Sequence, residues 1–122
     1  MSNELTLNCS LEYEDADGMT LSSEIVALLR TLTTDKAVKF KQSVGTSEEA
    51  LVLGDIATRA WCLLINRDST NYIEVKTGTS GTVFAKLLAG EFCFLRLGSG
   101  AQSPYVTANT ASCELEGIIC DL

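Results

Sequence analysis

Histidine is absent from this 122-residue chain, and no other feature of it excludes as much chemistry. Without an imidazole, neither a Ser-His-Asp triad nor a Cys-His dyad can form, and every His-containing zinc site is ruled out. Proline occurs once, at Pro104, and there is no low-complexity tract, so the sequence leaves little room for a linker. Cations are scarce: 9 Lys and Arg stand against 16 Asp and Glu, for a net charge of −7. A chain this acidic, with no basic cluster, lacks the means to displace counterions from a phosphate backbone, so nucleic acid is not an expected partner. No apolar stretch approaches the roughly 20 residues needed to span a bilayer. The first 18 residues alternate and are acidic, whereas a secretory leader needs a basic start and an apolar run of about 7–15 residues. The expectation is a chain made and folded in a cytosol, with no membrane partner.

Five cysteines are present: Cys9, Cys62, Cys93, Cys113 and Cys120. Their number is odd, no CxxC pair occurs, and each lies in an apolar run. A free cysteine behaves as a small hydrophobe, so buried reduced thiols are expected and a four-cysteine zinc site is not. The glycines do not connect a strand to a helix, so no phosphate-binding loop is expected. Glu74, Glu91, Glu114 and Glu116 are the carboxylates from which a glycosidase-like pair would have to come, yet all fall at wet strand positions or turn tips. No catalytic, cofactor-binding or metal-binding residue is assigned, no cofactor is expected, and the chain is not read as an enzyme.

What the sequence does hold is alternation. Leu5, Leu7, Cys9, Leu11 and Tyr13 alternate with Thr6, Asn8, Ser10 and Glu12, the period of a strand with one face buried. The acidic run at 14–18, ending in Gly18, reads as a hairpin loop. Residues 19–34 are read as a strand with a helical turn near Ser23–Ala27, where serines precede good helix formers. Val38 and Phe40 point inward from the next strand and Lys39 and Lys41 outward. Ala50–Leu53 is a short strand stopped by Gly54-Asp55.

The centre of the chain, residues 60–97, is four apolar runs separated by turn signals at 67–71, 78–81 and 89–91. Trp61–Ile65 is apolar on both alternating faces, which calls for a mid-sheet strand covered above and below. Ile73 and Val75 are core positions, while Tyr72, Glu74 and Lys76 share the opposite face. The Asn66-Arg67-Asp68-Ser69-Thr70-Asn71 run suits a turn held by side-chain-to-backbone bonds. From Leu97 to Cys113 no residue is charged, which suggests a long crossing connection with a brief strand at Tyr105–Thr107. The last strand alternates Cys113, Leu115 and Ile119 against Glu114 and Glu116, with Gly117 as a bulge. Eight or nine short strands in a single domain over residues 1–122 make an all-β fold. It is expected to be an antiparallel β-sandwich with jelly-roll or Greek-key wiring, with residues 1–18 as a strand or an arm that contacts a neighbour.

Three stretches together resemble a family of small virion proteins from tailed bacteriophages. The first is VGTSEEALVLGDIATRAWCLLINRDSTNYIEV, where the likeness rests on Gly45, Thr46, Glu49, Ala50, Leu51, Leu53, Gly54, Asp55, Ala57 and Thr58. In the same stretch Asn66, Asp68, Thr70, Asn71 and Val75 supply the turn and strand. The second, FAKLLAGEFCFLRL, matches at Lys86, Leu87, Gly90, Glu91, Arg96 and Leu97. The third, YVTANTASCELEGII, matches at Tyr105, Ala108, Asn109, Thr110 and Ala111. Together they cover roughly residues 42–121. Arg59-Ala60 departs from the pattern, since the family often has a proline and a glycine there.

The resemblance implies a structural virion protein, and the expectation is a capsid decoration (cement) protein that stabilises the head shell. It would be assembled in the host cytoplasm with the major capsid protein or other virion proteins as partners. A homo-oligomer, taken as a trimer, would use Trp61–Ile65, Phe84 with Leu88, and Phe92 with Phe94. A tail or baseplate component is one alternative. A carbohydrate-binding sandwich with Trp61 or Tyr72 as its platform is another. Within the resemblance, Asn66, Asp68 and Asn71 would hold a hairpin turn, and Lys86 and Arg96 would pair with Glu91 or Glu74.

Overall fold

The structure is a computed structural model that describes residues 3–32, 36–53, 56, 59–97 and 103–121. Among them are ten strands and no helix: β1 (Asn3–Glu14), β2 (Thr20–Leu32), β3 (Ala37–Val44), β4 (Glu49–Ala50), β5 (Arg59–Asn66), β6 (Ile73–Lys76), β7 (Val83–Leu87), β8 (Phe92–Arg96), β9 (Tyr105–Ala108) and β10 (Cys113–Asp121). The fold is all-β with antiparallel sheets, as its alternation predicts. Strand β1, of 12 residues, runs beyond the alternation at Leu5–Tyr13, and β2, of 13, falls within the expected 19–34. The chain divides into two compact units, Met1–Asp35 and Lys36–Leu122.

The second unit is one long hairpin, folded in half and rolled. Its strands pair from the tip outward: β6 with β7, β5 with β8, β4 with β9, and β3 with β10. Rolling adds the ladders β10·β5 and β9·β6 and divides the ribbon into two four-stranded sheets, β3-β10-β5-β8 and β4-β9-β6-β7. This order is the wiring of a jelly roll. Inward residues of both sheets fill the core: Val44, Cys62, Leu64, Leu115 and Ile119 from the first, Ile73, Val75, Leu87, Val106 and Ala108 from the second. Leu51, Leu53 and Ile56 join them from the segment after β4. Each such side chain contributes on the order of 2 kcal/mol by leaving water.

Gln42 joins the two sheets at one edge. Its Nε2 donates to Glu49 Oε1 at 2.8 Å and to the Ala50 carbonyl at 3.1 Å, and its Oε1 accepts from the Val52 amide at 2.9 Å. One amide side chain on β3 thus serves the backbone of β4 as a strand neighbour would. Beyond Ala50 the expected strand does not continue, because Leu51 and Leu53 turn into the core. The stop at Gly54-Asp55 lies outside the described residues, as do residues 98–102 of the uncharged connection.

Gly117 is not a bulge. The β10·β3 register runs without a shift from Cys113↔Val44 to Cys120↔Ala37, and the irregularity in β10 falls between Ile119 and Asp121, against β5. Glycine is needed there for room. A Cβ would lie 2.7 Å from both the Leu63 carbonyl oxygen and Phe40 Cζ, because the Phe40 ring lies over the glycine from the neighbouring strand.

The first unit is a two-stranded ribbon. Asp15 Oδ1 accepts from the amides of Asp17 and Met19 at 2.9 and 2.8 Å, and Gly18 takes a φ of 87°, so the expected loop is an Asx-type turn. β2 is a strand throughout, without the helical turn expected near Ser23–Ala27. The local signal there marks a bulge instead: the register shifts between Leu7 and Cys9, Ala27 adopts a φ of 55°, and its amide donates to Asn8 Oδ1 at 2.9 Å. Pairing puts Leu5, Leu7, Cys9, Leu11 and Tyr13 on the same face as Leu28, Ile25 and Leu21, with Glu4, Glu12 and Glu24 on the other. The ribbon is therefore amphipathic.

The fold carries one direct test. Gly117→Ala should lower stability by about 1–3 kcal/mol through overpacking against a backbone oxygen that cannot yield. Urea unfolding would measure it, and a further Phe40→Leu change should recover part of the loss.

Candidate functional site

Three connections converge at one end of the sandwich, and a buried asparagine joins them. Asn66 closes β5 with no solvent exposure. Its Nδ2 donates to the carbonyls of Asn71 at 2.8 Å, Leu87 at 3.0 Å and Leu88 at 3.2 Å, and its Oδ1 accepts from the Asp68 amide at 3.0 Å. Its own backbone bonds Glu91 and Gly90 across the β7–β8 turn. In that turn Gly90 has a φ of 81°, and Glu91 Oε1 accepts from the Leu88 amide at 2.8 Å. Asp68 Oδ2 accepts from the amides of Thr70 and Asn71 at 2.9 and 2.6 Å, and these bonds, Asn71's first, hold its carboxyl below the usual range. The β9–β10 connection joins through Asn109 Oδ1, which accepts from the Tyr72 amide at 3.0 Å, and Thr110 Oγ1, which donates to Asn71 Oδ1 at 2.7 Å.

The run 66–71 is therefore a turn, as its composition suggests. The reach of Asn66 to Leu87 and Leu88, and of Asn109 to Tyr72, has no signature in the sequence. The polar groups of this cluster are spent on one another and on backbone, so chemically it is a staple.

The four carboxylates considered for acid–base work are not brought together. Glu114 and Glu116 lie on the outward face of β10, with Lys41 at 3.6 Å from the first and Arg67 Nη2 at 2.6 Å from the second. Arg67 Nε also donates to Glu116 at 2.9 Å, and the guanidinium holds this carboxyl below its ordinary range. Glu74 sits in the second sheet opposite Lys86 and Thr107, and Glu91 caps its own turn. The expected ion pairing of Lys86 takes a different form: its ammonium lies 4.1 Å from the centre of the Tyr72 ring. Among the described residues no group of three Cys, Asp or Glu side chains is placed to hold a metal ion.

Of the thiols, Cys62, Cys113 and Cys120 are buried and Cys93 half-buried, as expected, but Cys9 is exposed on the ribbon. Its alternation signals an apolar face that is open from Cys9 to Tyr13 but covered at Leu7, which is 6% exposed, and periodicity alone does not distinguish an open face from a core. Burial, with smaller contributions from Cys93 and Cys120, pushes the Cys62 thiol up to about 12, so it is unreactive at neutral pH.

What remains for function is apolar surface. On the ribbon Leu11 is 74% exposed, Leu21 58%, Tyr13 56% and Ile25 52%. The outward face of the first sheet forms a second surface. Opposed pairs Ile65↔Phe92, Leu63↔Phe94 and Leu63↔Ile118 bring apolar side chains from three strands together, with Trp61 stacked on Phe94 at 5.2 Å between ring centres. Phe92 there is 63% exposed. The mid-sheet place expected for Trp61–Ile65 is met, but only the inward side of β5 is covered; Trp61, Leu63 and Ile65 are half-buried. The Trp61 indole N–H has no hydrogen-bond partner among the described residues.

Compared with protein-family models, with curated proteins and with solved structures, the chain matches none.

Two measurements test the staple. Asn66→Ala leaves three carbonyls and an amide without their partner and should cost on the order of 3 kcal/mol, read by chemical unfolding. The lowered carboxyls of Asp68 and Glu116 give stability that is fully present above their unfolded value, about 4, and lost as the pH falls through their folded values. The melting temperature should therefore fall below about pH 4, and an Asp68→Asn, Glu116→Gln variant should show a shallower fall.

Proposed function

We propose that this chain is a structural virion protein of a tailed bacteriophage, a capsid decoration protein that stabilises the head shell. The observation that carries the reading is the N-terminal ribbon with Leu11, Tyr13, Leu21 and Ile25 exposed on one face. A two-stranded ribbon is marginally stable at best in water, and contiguous bare apolar surface marks a place of association. The resemblance of residues 42–121 to tailed-phage virion proteins supplies the setting. Among the described residues the polar cluster around Asn66 is consumed in bracing loops. Both aromatic residues considered for a sugar platform are engaged, Trp61 with Phe94 and Tyr72 with Lys86.

The test is co-sedimentation of the purified protein with heads, and separately with tails, that lack it. Saturable binding to expanded heads at the stoichiometry of the shell lattice is the expected result. Binding to tails alone, or at a few copies per particle, would replace the reading with a tail or baseplate component.

A further inference from the structure

We propose that the free edge of β8 is a self-recognition site, at which two copies of this chain pair β8 to β8, antiparallel about a two-fold axis. β8 ends the first sheet, and among the described strands only β5 lies beside it there. The β5·β8 ladder shows which backbone groups of β8 are spent. The Leu97 amide donates to the Ala60 carbonyl at 2.8 Å and the Asn66 amide to the Glu91 carbonyl at 2.9 Å, which fixes the bonded pairs at its two ends. Antiparallel pairs alternate between bonded and non-bonded, so Cys93 and Leu95 bond to β5. The N–H and C=O groups of Phe92, Phe94 and Arg96 therefore point away from it. Among the described residues none of these groups has a hydrogen-bond partner.

The chemistry of the edge defines its occupant. A row of alternating free amides and carbonyls is complemented by the edge of another strand. The other edges are guarded against such pairing. β3 carries Lys39 and Lys41, and β4 is two residues long. β7 carries Lys86, and its register with β6 breaks between Val75 and Lys76; the β1·β2 ribbon is broken by its bulge at Leu7/Cys9. Lysines, short strands and bulges all discourage edge pairing, and β8 has none of them. Its sequence, FCFLR, holds no proline, glycine or lysine, is rich in strand formers, and keeps its one charge at its end. Glu91, just before it, is turned back onto the Leu88 amide.

β8 is also complementary to itself. Centred on Phe94, antiparallel pairing sets Phe94 against its own copy and Phe92 against Arg96 at both ends. Each outward-pointing residue then meets another, and each such pair exchanges two bonds. Any other centre leaves at least one of the three unmatched within β8, and a centre at Arg96 sets like charges opposite each other. The Phe94 register instead lays each guanidinium across from a Phe92 ring, an attractive pairing of cation and aromatic face. It also continues the stacked Trp61 and Phe94 rings across the axis. The units that approach are nearly neutral, since residues 36–122 hold nine acids and eight bases. A two-fold contact of this kind closes at two copies.

The inference needs nothing from the virion reading, and the two can fail separately, since it is read on the isolated protein. Sedimentation of the full chain should show a dimer. Amide hydrogen exchange at Phe92, Phe94 and Arg96 should be at least about tenfold slower in the dimer than in dilute protein, with Cys93 and Leu95 protected in both. Phe92→Pro removes an N–H that bonds nothing within the chain and should raise the dissociation constant at least about tenfold. Phe92→Thr keeps that N–H and the strand preference, and should raise it less. Proline is accepted at the first position of a strand, and urea unfolding would verify that the fold survives. Three results would overturn the proposal. They are a monomer at hundreds of micromolar, a dimer in which the Phe92, Phe94 and Arg96 amides exchange as freely as in the monomer, and a dimer weakened as much by Phe92→Thr as by Phe92→Pro.

Discussion

The Asn66 amide is the point at which the rolled hairpin is held closed. Rolling a ribbon into two sheets leaves strand ends, and their unpaired backbone groups, gathered at the ends of the sandwich. At one end those groups meet a single buried side chain with two donors and two acceptor positions, placed where β5 gives way to its loop. It reaches the loop it begins and the turn that ends β7, while Asp68 and Asn109 extend the same network to the loops on either side. A buried amide is costly unless fully partnered, and this one is fully partnered only when all its neighbours are in register. The network therefore specifies the roll as well as stabilising it. Gln42 does a smaller version of the same task at the sheet edge, where β3 passes to β4.

The two apolar surfaces are better understood against that closed frame. The core of the sandwich lies between its sheets, while the outward face of the first sheet carries apolar side chains of its own. Trp61, Leu63 and Ile65 alternate with core residues on the same strand, and their neighbours Phe92 and Ile118 extend the surface instead of ending it. The ribbon has the reverse character: long, thin and amphipathic, it has a face to cover and too little width to cover it alone. Its opposite face is mixed, with Glu4, Glu12 and Glu24 beside the exposed Leu29. The two units thus differ in kind: one closes a core of its own, and the other is a two-stranded ribbon.

Most of the architecture was legible because alternation is a local signal. Leu5 to Tyr13, Val38 with Phe40, Ile73 with Val75, and Cys113 with Leu115 declare their faces through the residues beside them. Turn positions were equally open, since Asp15, Asp68 and Gly90 act on amides or φ values within a few residues of themselves. What could not be read was whatever depends on a partner distant in sequence. The bulge at Ala27 is set by Asn8 across the ribbon. The role of Gly117 comes from the Phe40 ring and the Leu63 carbonyl on two other strands. The carbonyls that Asn66 satisfies lie some twenty residues ahead. Cys9 shows the limit most plainly: its neighbours reveal which face it shares, and nothing local reveals whether that face is covered.

The pairing order of the second unit also bears on how the chain acquires its shape. Strand β3 finds its partner only in β10, with every other strand of that unit lying between them. Contacts so far apart along the chain are slow to form, because loop-closure entropy is lost before any burial is gained. The ribbon, by contrast, is a local hairpin whose two strands are adjacent in sequence and precede every strand of the second unit. During synthesis the ribbon can therefore form well before β10 exists to complete the first sheet of the sandwich. The edge strand β3 is thus the part of the sandwich that waits longest for its neighbour, and an unpaired strand edge is where misassembly starts when synthesis outpaces folding.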